Sequence, residues 1–191
     1  MKDYILHERG ALPKEVCEDI IHKFENDWVN YHEIGTIGID SEVDLKRKHS
    51  TEIFWHLEHR KESFFDLKYL GKCIDKYKEF FPLLDEIVIP WGICPTIKIQ
   101  RYKPNEGYFS THCEYNGNRN DIHEKRMFVW MIYLNDVTDG GETEFPTQKI
   151  KFQPRAGDVL VWPAYWTHPH HGITSETQTK YIITGWYSFK Y

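Results

Sequence analysis

The sequence predicts a mainly β fold, a jelly roll or barrel with helices packed on one side. Three observations predict it. Apolar residues at helical spacing occur only in the first part of the chain, at Val16, Ile20, Ile21, Phe24 and Trp28 and again at Leu67, Leu70, Ile74, Tyr77 and Phe81. Short apolar runs bounded by turn signals follow them. One of these runs, 128–134, is apolar on both faces, as a strand buried between two layers must be. Helices first and many short antiparallel strands after them make a two-layer β fold with helical support.

In chain order, residues 3–7 read as a short strand. Pro13 fits the first turn of a helix that runs to about Asn30, because proline lacks only a donor that a helix start leaves unpaired anyway. Residues 35–62 follow no single period. Gly35 and Gly38 interrupt them, Lys46-Arg47-Lys48 reads as a solvated loop with a substrate-side loop as the alternative, and Phe54-Trp55 is apolar. His56 and His59 stand one helical turn apart, a weak candidate for a second metal. A second helix carries Leu67 to Phe81 and stops at Pro82. Strands are expected at 87–89, 96–100, 128–134, 159–161 and 181–189, with turns at Asp139-Gly140-Gly141 and Ala156-Gly157-Asp158. The 191 residues read as one domain, helical support over about 1–90 and a jelly-roll core over about 91–191.

Composition narrows the function classes. A net charge of −5 offers no excess of cations for phosphates, so neither nucleic acid nor an anionic membrane surface is an expected partner. No apolar stretch is long enough to cross a bilayer, and residues 1–10 are charged, so neither a membrane span nor a signal peptide is expected. The four cysteines, Cys17, Cys73, Cys94 and Cys113, show no close pairing, which fits a reducing cytoplasm.

The chemistry concentrates between His112 and Lys180. In a strand, side chains i and i+2 share a face, so His112 and Glu114 converge while Cys113 points away. A distant histidine from His168, His170 or His171 completes two imidazoles and one carboxylate on one face of a metal. That donor set leaves coordination positions open, the arrangement of non-haem Fe(II) oxygenases. Lys180 shares a strand face with Ile182, Thr184 and Trp186. An ammonium among apolar neighbours needs a partner, and a dicarboxylate is a natural one.

Residues from about 97 to 189 resemble the 2-oxoglutarate- and Fe(II)-dependent dioxygenases of the prolyl 4-hydroxylase type. The resemblance is carried by Gln100-Arg101-Tyr102, Gly107-Tyr108, His112-Cys113-Glu114, Tyr133-Leu134-Asn135-Asp136-Val137, Gly140-Gly141-Glu142-Thr143-Glu144-Phe145-Pro146, residues 154–158, His170-His171-Gly172, and Lys180 with Trp186. It implies a double-stranded β-helix, the cupin-like form of the jelly roll, with N-terminal helices on one sheet. It implies iron held by His112, Glu114 and His170, where the family usually has Asp at the second position. His170 is chosen because it forms the family's His-x-Gly with Gly172 and precedes Lys180 by the family's spacing. His168 is then a supporting residue. A retained carboxylate disfavours the halogenase variant, which lacks it.

By the same resemblance Lys180 holds the distal carboxylate of 2-oxoglutarate and Tyr102 hydrogen-bonds the co-substrate. Tyr133 or Thr143 adds a hydroxyl, their alternative being an ordinary core tyrosine and turn threonine. Thr184 and Trp186 line the pocket wall. Arg126 opens a central strand, from which it could reach substrate or serve as a strand-end charge. The implied reaction uses O2 to hydroxylate an unactivated C–H bond while 2-oxoglutarate is oxidatively decarboxylated to succinate and CO2, with ascorbate as reductant. A peptidyl substrate, proline by default, is expected. The alternatives are an oxygenase of a free amino acid or other small molecule, a cupin-like isomerase or hydrolase, and a non-catalytic binding module.

Overall fold

The computed structural model describes residues 3–38, 41–57, 66–115 and 125–190. In chain order the elements are β1 (Leu6–Glu8), α1 (Lys14–Asn26), a 3-10 turn (Val29–Tyr31), β2 (Glu33–Ile34), β3 (Lys48–His49), β4 (Thr51–His56), α2 (Lys68–Phe80), α3 (Leu84–Ile87), β5 (Trp91–Ile93), β6 (Thr96–Tyr102), β7 (Gly107–Tyr108), β8 (Arg126–Tyr133), β9 (Thr143–Phe145), β10 (Ile150–Phe152), β11 (Val159–Pro163), β12 (His171–Gly172) and β13 (Lys180–Phe189). The large sheet is antiparallel, in the order β1-β11-β8-β13-β6-β4-β2, and β5 pairs the far end of β13. A second layer holds the small sheet β10-β9-β12, the β3–β7 pair and a single bridge between His112 and His170. This is a double-stranded β-helix with helices packed on the large sheet, as the sequence predicts.

Two cores lie on the two faces of the large sheet. Trp130, Ile132, Ile183, Ile97, Ile99 and Ile53 face the helices and meet Ile20, Phe24, Leu70 and Tyr77. Val129, Met131, Tyr133, Ile182, Trp186 and Trp162 face the second layer. The strict alternation follows from the two-residue period of a strand. It explains why 128–134 is apolar throughout: β8 lies between β11 and β13 and is covered on both sides.

Several expected boundaries move. The first strand sits at Leu6–Glu8, where it pairs the edge of β11, rather than at 3–7. Helix α1 stops at Asn26 instead of about Asn30, and Val29–Tyr31 form a 3-10 turn. The strand expected at 87–89 does not form. Ile87 ends the one-turn helix α3, and the open edge of β13 at Tyr187–Phe189 is taken by β5 instead. Residues 35–62 hide a six-residue strand, β4, which pairs β6 along its whole length. His56 closes that strand rather than standing on a helix, and His59 lies outside the described residues.

Lys48 is not in a solvated loop. It is 2 % exposed on β3 and contacts the carboxylate of Glu52, itself 0 % exposed. Ser50 Oγ and Gln100 Nε2 donate to Glu52 Oε1 at 2.9 and 2.6 Å, and Lys98 Nζ lies 3.6 Å from Oε2. Burial pushes the Glu52 carboxyl up, but Lys48 and Lys98 outweigh it and hold the group below the usual carboxylate range. The backbone covers this network at Gly35, where a Cβ would stand 2.0 Å from Ser50 Oγ.

Two stability predictions follow from this packing. Gly185 pairs Trp130, and a Cβ there would lie 2.3 Å from the indole. Gly185→Ala is therefore expected to cost about 1–3 kcal/mol in urea unfolding by overpacking. Glu52→Gln leaves Lys48 buried without a counter-charge and is expected to cost roughly 3–5 kcal/mol at neutral pH. The folded-state carboxyl is depressed, so its contribution is full above the normal carboxylate range and lost as pH falls through the depressed value. The stability gap between wild type and Glu52→Gln should accordingly narrow in acid.

Candidate metal centre and its cavity

His112 and Glu114 leave β7 on an extended segment tied down at both ends of the site. His112 exchanges both backbone hydrogen bonds with His170 (3.0 and 2.9 Å), and Glu114 N–H donates to Ala164 O at 3.0 Å. These bonds bring side chains far apart in sequence to one point. A donor atom from each of His112, Glu114 and His170 lies within 4.8 Å of the others. Glu114 Oε1 is 3.3 Å from His112 Nε2 and 3.8 Å from His170 Nε2.

The protonation pattern of the imidazoles follows from their second nitrogens. His112 Nδ1 lies 2.9 Å from Ser110 O, and His170 Nδ1 lies 3.1 Å from His168 O. A carbonyl only accepts, so each Nδ1 carries a proton and each Nε2 is the nitrogen that faces Glu114. Burial, aided by His112, lowers the pKa of His170 to about 3, which keeps the ring neutral. Burial pushes the Glu114 carboxyl up, but His112 and Arg126 hold it well below the carboxylate range.

Glu114 itself is clamped. Its Oε2 accepts from Arg126 Nη1 at 2.7 Å and from Trp186 Nε1 at 3.1 Å, and the guanidinium stacks 3.6 Å from the Trp186 ring. Oε1 is thereby left to face the two imidazoles. The longer arm of Glu, compared with Asp, spans this distance. Two neutral nitrogens and one carboxylate oxygen on one side of a point suit a divalent ion with open positions. Ligands at right angles around an ion bound at about 2.1 Å lie roughly 3 Å apart, close to the spacing seen here. The residues present fit an iron ion.

The site opens into a cavity of 330 Å³, near the lower end of ligand-pocket sizes. Lys180 is part of its lining, 6 % exposed. Its Nζ donates to Gly141 O at 3.0 Å and stands 5.1 Å from the Tyr102 ring. Burial lowers its pKa to about 8, with Glu142 opposing. Tyr102, Thr143 and Thr184 line the same cavity. Thr184 Oγ1 donates to Gln100 Oε1 at 3.3 Å.

Tyr133 stands differently from the expectation that it adds a hydroxyl to the site. It is 0 % exposed, and its hydroxyl bonds Thr143 Oγ1 at 2.7 Å from behind. It orients Thr143 rather than reaching the cavity. His168 turns away, with Nε2 2.9 Å from Asp3 O, and supports His170 through its carbonyl. His171 Nε2 lies 3.3 Å from Glu144 Oε2 and is spent on that pair.

Sequence reasoning gave no site role to Lys98, Gln100 or Trp162 and read Lys48 in a basic run with a substrate-side loop only as the alternative, yet all four line the cavity. The signal for the first two was present. Lys98 and Gln100 share a strand face with Tyr102, so any role for Tyr102 carried them into the same cavity. Lys48 joins through the β3–β7 pairing, which no local pattern announces.

Comparison with known proteins agrees with this geometry. The 2OG-Fe(II) oxygenase superfamily profile matches residues 97–188. A protein of Acanthamoeba polyphaga mimivirus, named a candidate prolyl 4-hydroxylase, is 28 % identical over 113 residues. That match covers 52 % of this chain and 47 % of the viral protein, so the chain spans about half the length of this curated relative. A viral collagen prolyl hydroxylase from Paramecium Bursaria Chlorella virus-1, solved with 2-oxoglutarate, superimposes with a TM-score of 0.70 at 19 % identity, covering 98 % of this chain and 97 % of that one. A Trichoplax adhaerens prolyl hydroxylase, solved with a hypoxia inducible factor peptide, gives a TM-score of 0.73 at 17 % identity, covering 97 % and 84 %. The profile spans β6 to β13, the stretch that carries every donor atom described above, and over it the chain is similar to the 2OG-Fe(II) oxygenase superfamily and, within it, to the prolyl hydroxylases.

Proposed function

We propose that the chain is an Fe(II)- and 2-oxoglutarate-dependent hydroxylase acting on an unactivated C–H bond, with residues 1–191 forming one catalytic unit. The observation that carries this is the pairing of two sites in one cavity: an Nε2, Nε2, Oε1 donor set and a buried ammonium on the same lining. The isomerase, hydrolase and binding-module readings account for the first but give no reason for the second.

His112 and His170 offer Nε2, and Glu114 offers Oε1, to the iron. Arg126 and Trp186 keep Oε2 occupied, so the carboxylate presents one oxygen. Lys180 exchanges its bond to Gly141 O for the distal carboxylate of 2-oxoglutarate, which explains a nearly enclosed charge whose hydrogen-bond partner among the described residues is a carbonyl. Tyr102 and Thr143 belong to the same lining, with Tyr133 fixing the Thr143 hydroxyl. Val129, Met131, Trp162 and Ile182 form an apolar wall that excludes water from the reacting centre. When bound, iron with 2-oxoglutarate and O2 supplies the oxidising power of the family reaction, with succinate and CO2 as by-products. Ascorbate serves as reductant.

A peptidyl substrate is favoured by the likeness to prolyl hydroxylases, one of them solved with a peptide. No described helix is long and apolar enough to cross a membrane. The four cysteines are all free, which suits a reducing compartment such as the cytoplasm.

The direct test is succinate formation from 2-oxoglutarate with Fe(II), ascorbate and air. His112→Ala and His170→Ala should abolish it. Lys180→Ala should chiefly raise the KM for 2-oxoglutarate, since it removes binding remote from the reacting atoms. No iron-dependent succinate, together with no 2-oxoglutarate binding to the anaerobic Fe(II) protein, would overturn the reading. Because the free Lys180 ammonium titrates near pH 8 and the dicarboxylate binds its charged form, affinity for 2-oxoglutarate should hold below pH 8 and fall as pH rises above it. Calorimetry between pH 6.5 and 9.5 checks this. Arg126→Gln releases Glu114 Oε2 and should weaken divalent-metal affinity by roughly 10- to 100-fold, measured by metal titration.

A further inference from the structure

One cation on the cavity wall has no role in the reading above. Strand β6 turns Ile97 and Ile99 toward the helices and Lys98, Gln100 and Tyr102 toward the cavity. The Lys98 ammonium stands 4.6 Å from the Phe54 ring, and its side chain is 18 % exposed. Among the described residues its acidic neighbour is Glu52, whose Oε2 is 3.6 Å away, beyond hydrogen-bonding distance. Glu52 is already engaged. Its Oε1 meets Lys48 and accepts from Ser50 and Gln100, while Oε2 accepts no hydrogen bond among the described residues and has Lys98 as its nearby cation.

The charges around the cavity then sort into pairs with a remainder. Lys48 is matched by Glu52 and Arg126 by Glu114. Lys98 shares the single Glu52 carboxylate with Lys48, and Lys180 has no carboxylate within ion-pair distance among the described residues, so the cavity holds more cations than anions. Lys98 and Lys180 stand at separate places on the sheet: Lys180 pairs Tyr102, whereas Lys98 pairs Thr184, four residues along β13. That offset separates their backbone positions by about 13 Å. One dicarboxylate gripped by Lys180 and the iron leaves Lys98 to a second ligand of the same cavity. Thr96, Ser188 and Arg126 also line the cavity.

We propose that Lys98 is a specificity-determining residue that receives a carboxylate of the primary substrate, so that the enzyme prefers an acidic substrate over its neutral amide. This rests on the oxygenase reading for the identity of the occupant, but the cation and its open donors are properties of the cavity itself. Gln100 and Thr184 lie beside it as neutral hydrogen-bonding groups. Phe54 gives the ammonium a face to rest on, which keeps it oriented without neutralising it. A carboxylate at Lys98 gains a charge-assisted hydrogen bond in a site that is largely shielded from water.

The experiment compares matched acids and amides on the Fe(II)-loaded protein under nitrogen, by calorimetry. One arm uses end-blocked tripeptides X-Pro-Gly with X as Glu or Asp against Gln or Asn. The other uses N-acetylproline against N-acetylprolinamide. Binding of the acid about tenfold tighter than its amide in either arm is expected, the scale of a hydrogen bond to a charged group. The arm that responds tells a side-chain carboxylate from a chain-terminal one. Lys98→Glu should erase the preference and Lys98→Arg should keep it. Lys98→Gln, which leaves Glu52 paired with Lys48, serves if Lys98→Glu fails to fold, and should also erase it. Equal binding of acids and amides, no binding of either, or a preference that survives in the Glu or Gln variant overturns the proposal. Binding of 2-oxoglutarate alone is measured in parallel. If that fails while the Lys98-dependent preference remains, the oxygenase reading falls and the carboxylate site stands.

Discussion

Each central strand of the large sheet has to satisfy two environments at once. On β8 and β13, one set of alternate residues packs against the helices and the other faces the cavity. Trp130 and Ile183 belong to the first set, Met131, Ile182 and Trp186 to the second. A shift by one residue would exchange them. The functional side chains depend on this parity. Lys180, Thr184 and Trp186 reach the cavity because Tyr181, Ile183, Gly185 and Tyr187 are held in the other core. The same rule on β6 brings Lys98, Gln100 and Tyr102 in together. Packing of the helical face therefore sets the positions of groups that never touch a helix.

The second organising force is the cost of buried charge. Glu52 is fully enclosed yet ionised, because Lys48, Ser50 and Gln100 replace the water it lost. Glu114 is ionised for a related reason, with Arg126 and Trp186 on one oxygen and the imidazoles near the other. The outcome is a carboxylate with one oxygen spent and one directed. Two imidazoles with their Nδ1 protons fixed by backbone carbonyls are oriented to match. The centre is arranged by hydrogen bonds from residues that donate nothing to a metal. The Glu114 arm is long enough for its second oxygen to find a partner in Arg126.

Structural likeness at 17–19 % identity to prolyl hydroxylases is consistent with these constraints. Strand parity and the backbone ties around His112 and His170 specify residue classes at most positions rather than identities.

The sequence by itself determined the parts governed by local periodicity and short spacing. The helical stretches at Val16–Phe24 and Leu67–Phe81, the doubly apolar strand at 128–134, the His-x-Glu pair and the facing of Lys180 are all properties of neighbours in the chain. Tertiary structure alone decided the rest. Whether 87–89 or 91–93 formed a strand depended on which one met the free edge of β13. Residues 51–56 became a strand because β6 offered them a partner. Lys48, written in a basic run, was buried because Glu52 lay beneath it. Tyr133 was withdrawn behind Thr143 by a carbonyl on β10 and a hydroxyl on β9. Each outcome turned on a partner distant in sequence, and pairing energies between distant segments leave no periodic trace in either segment.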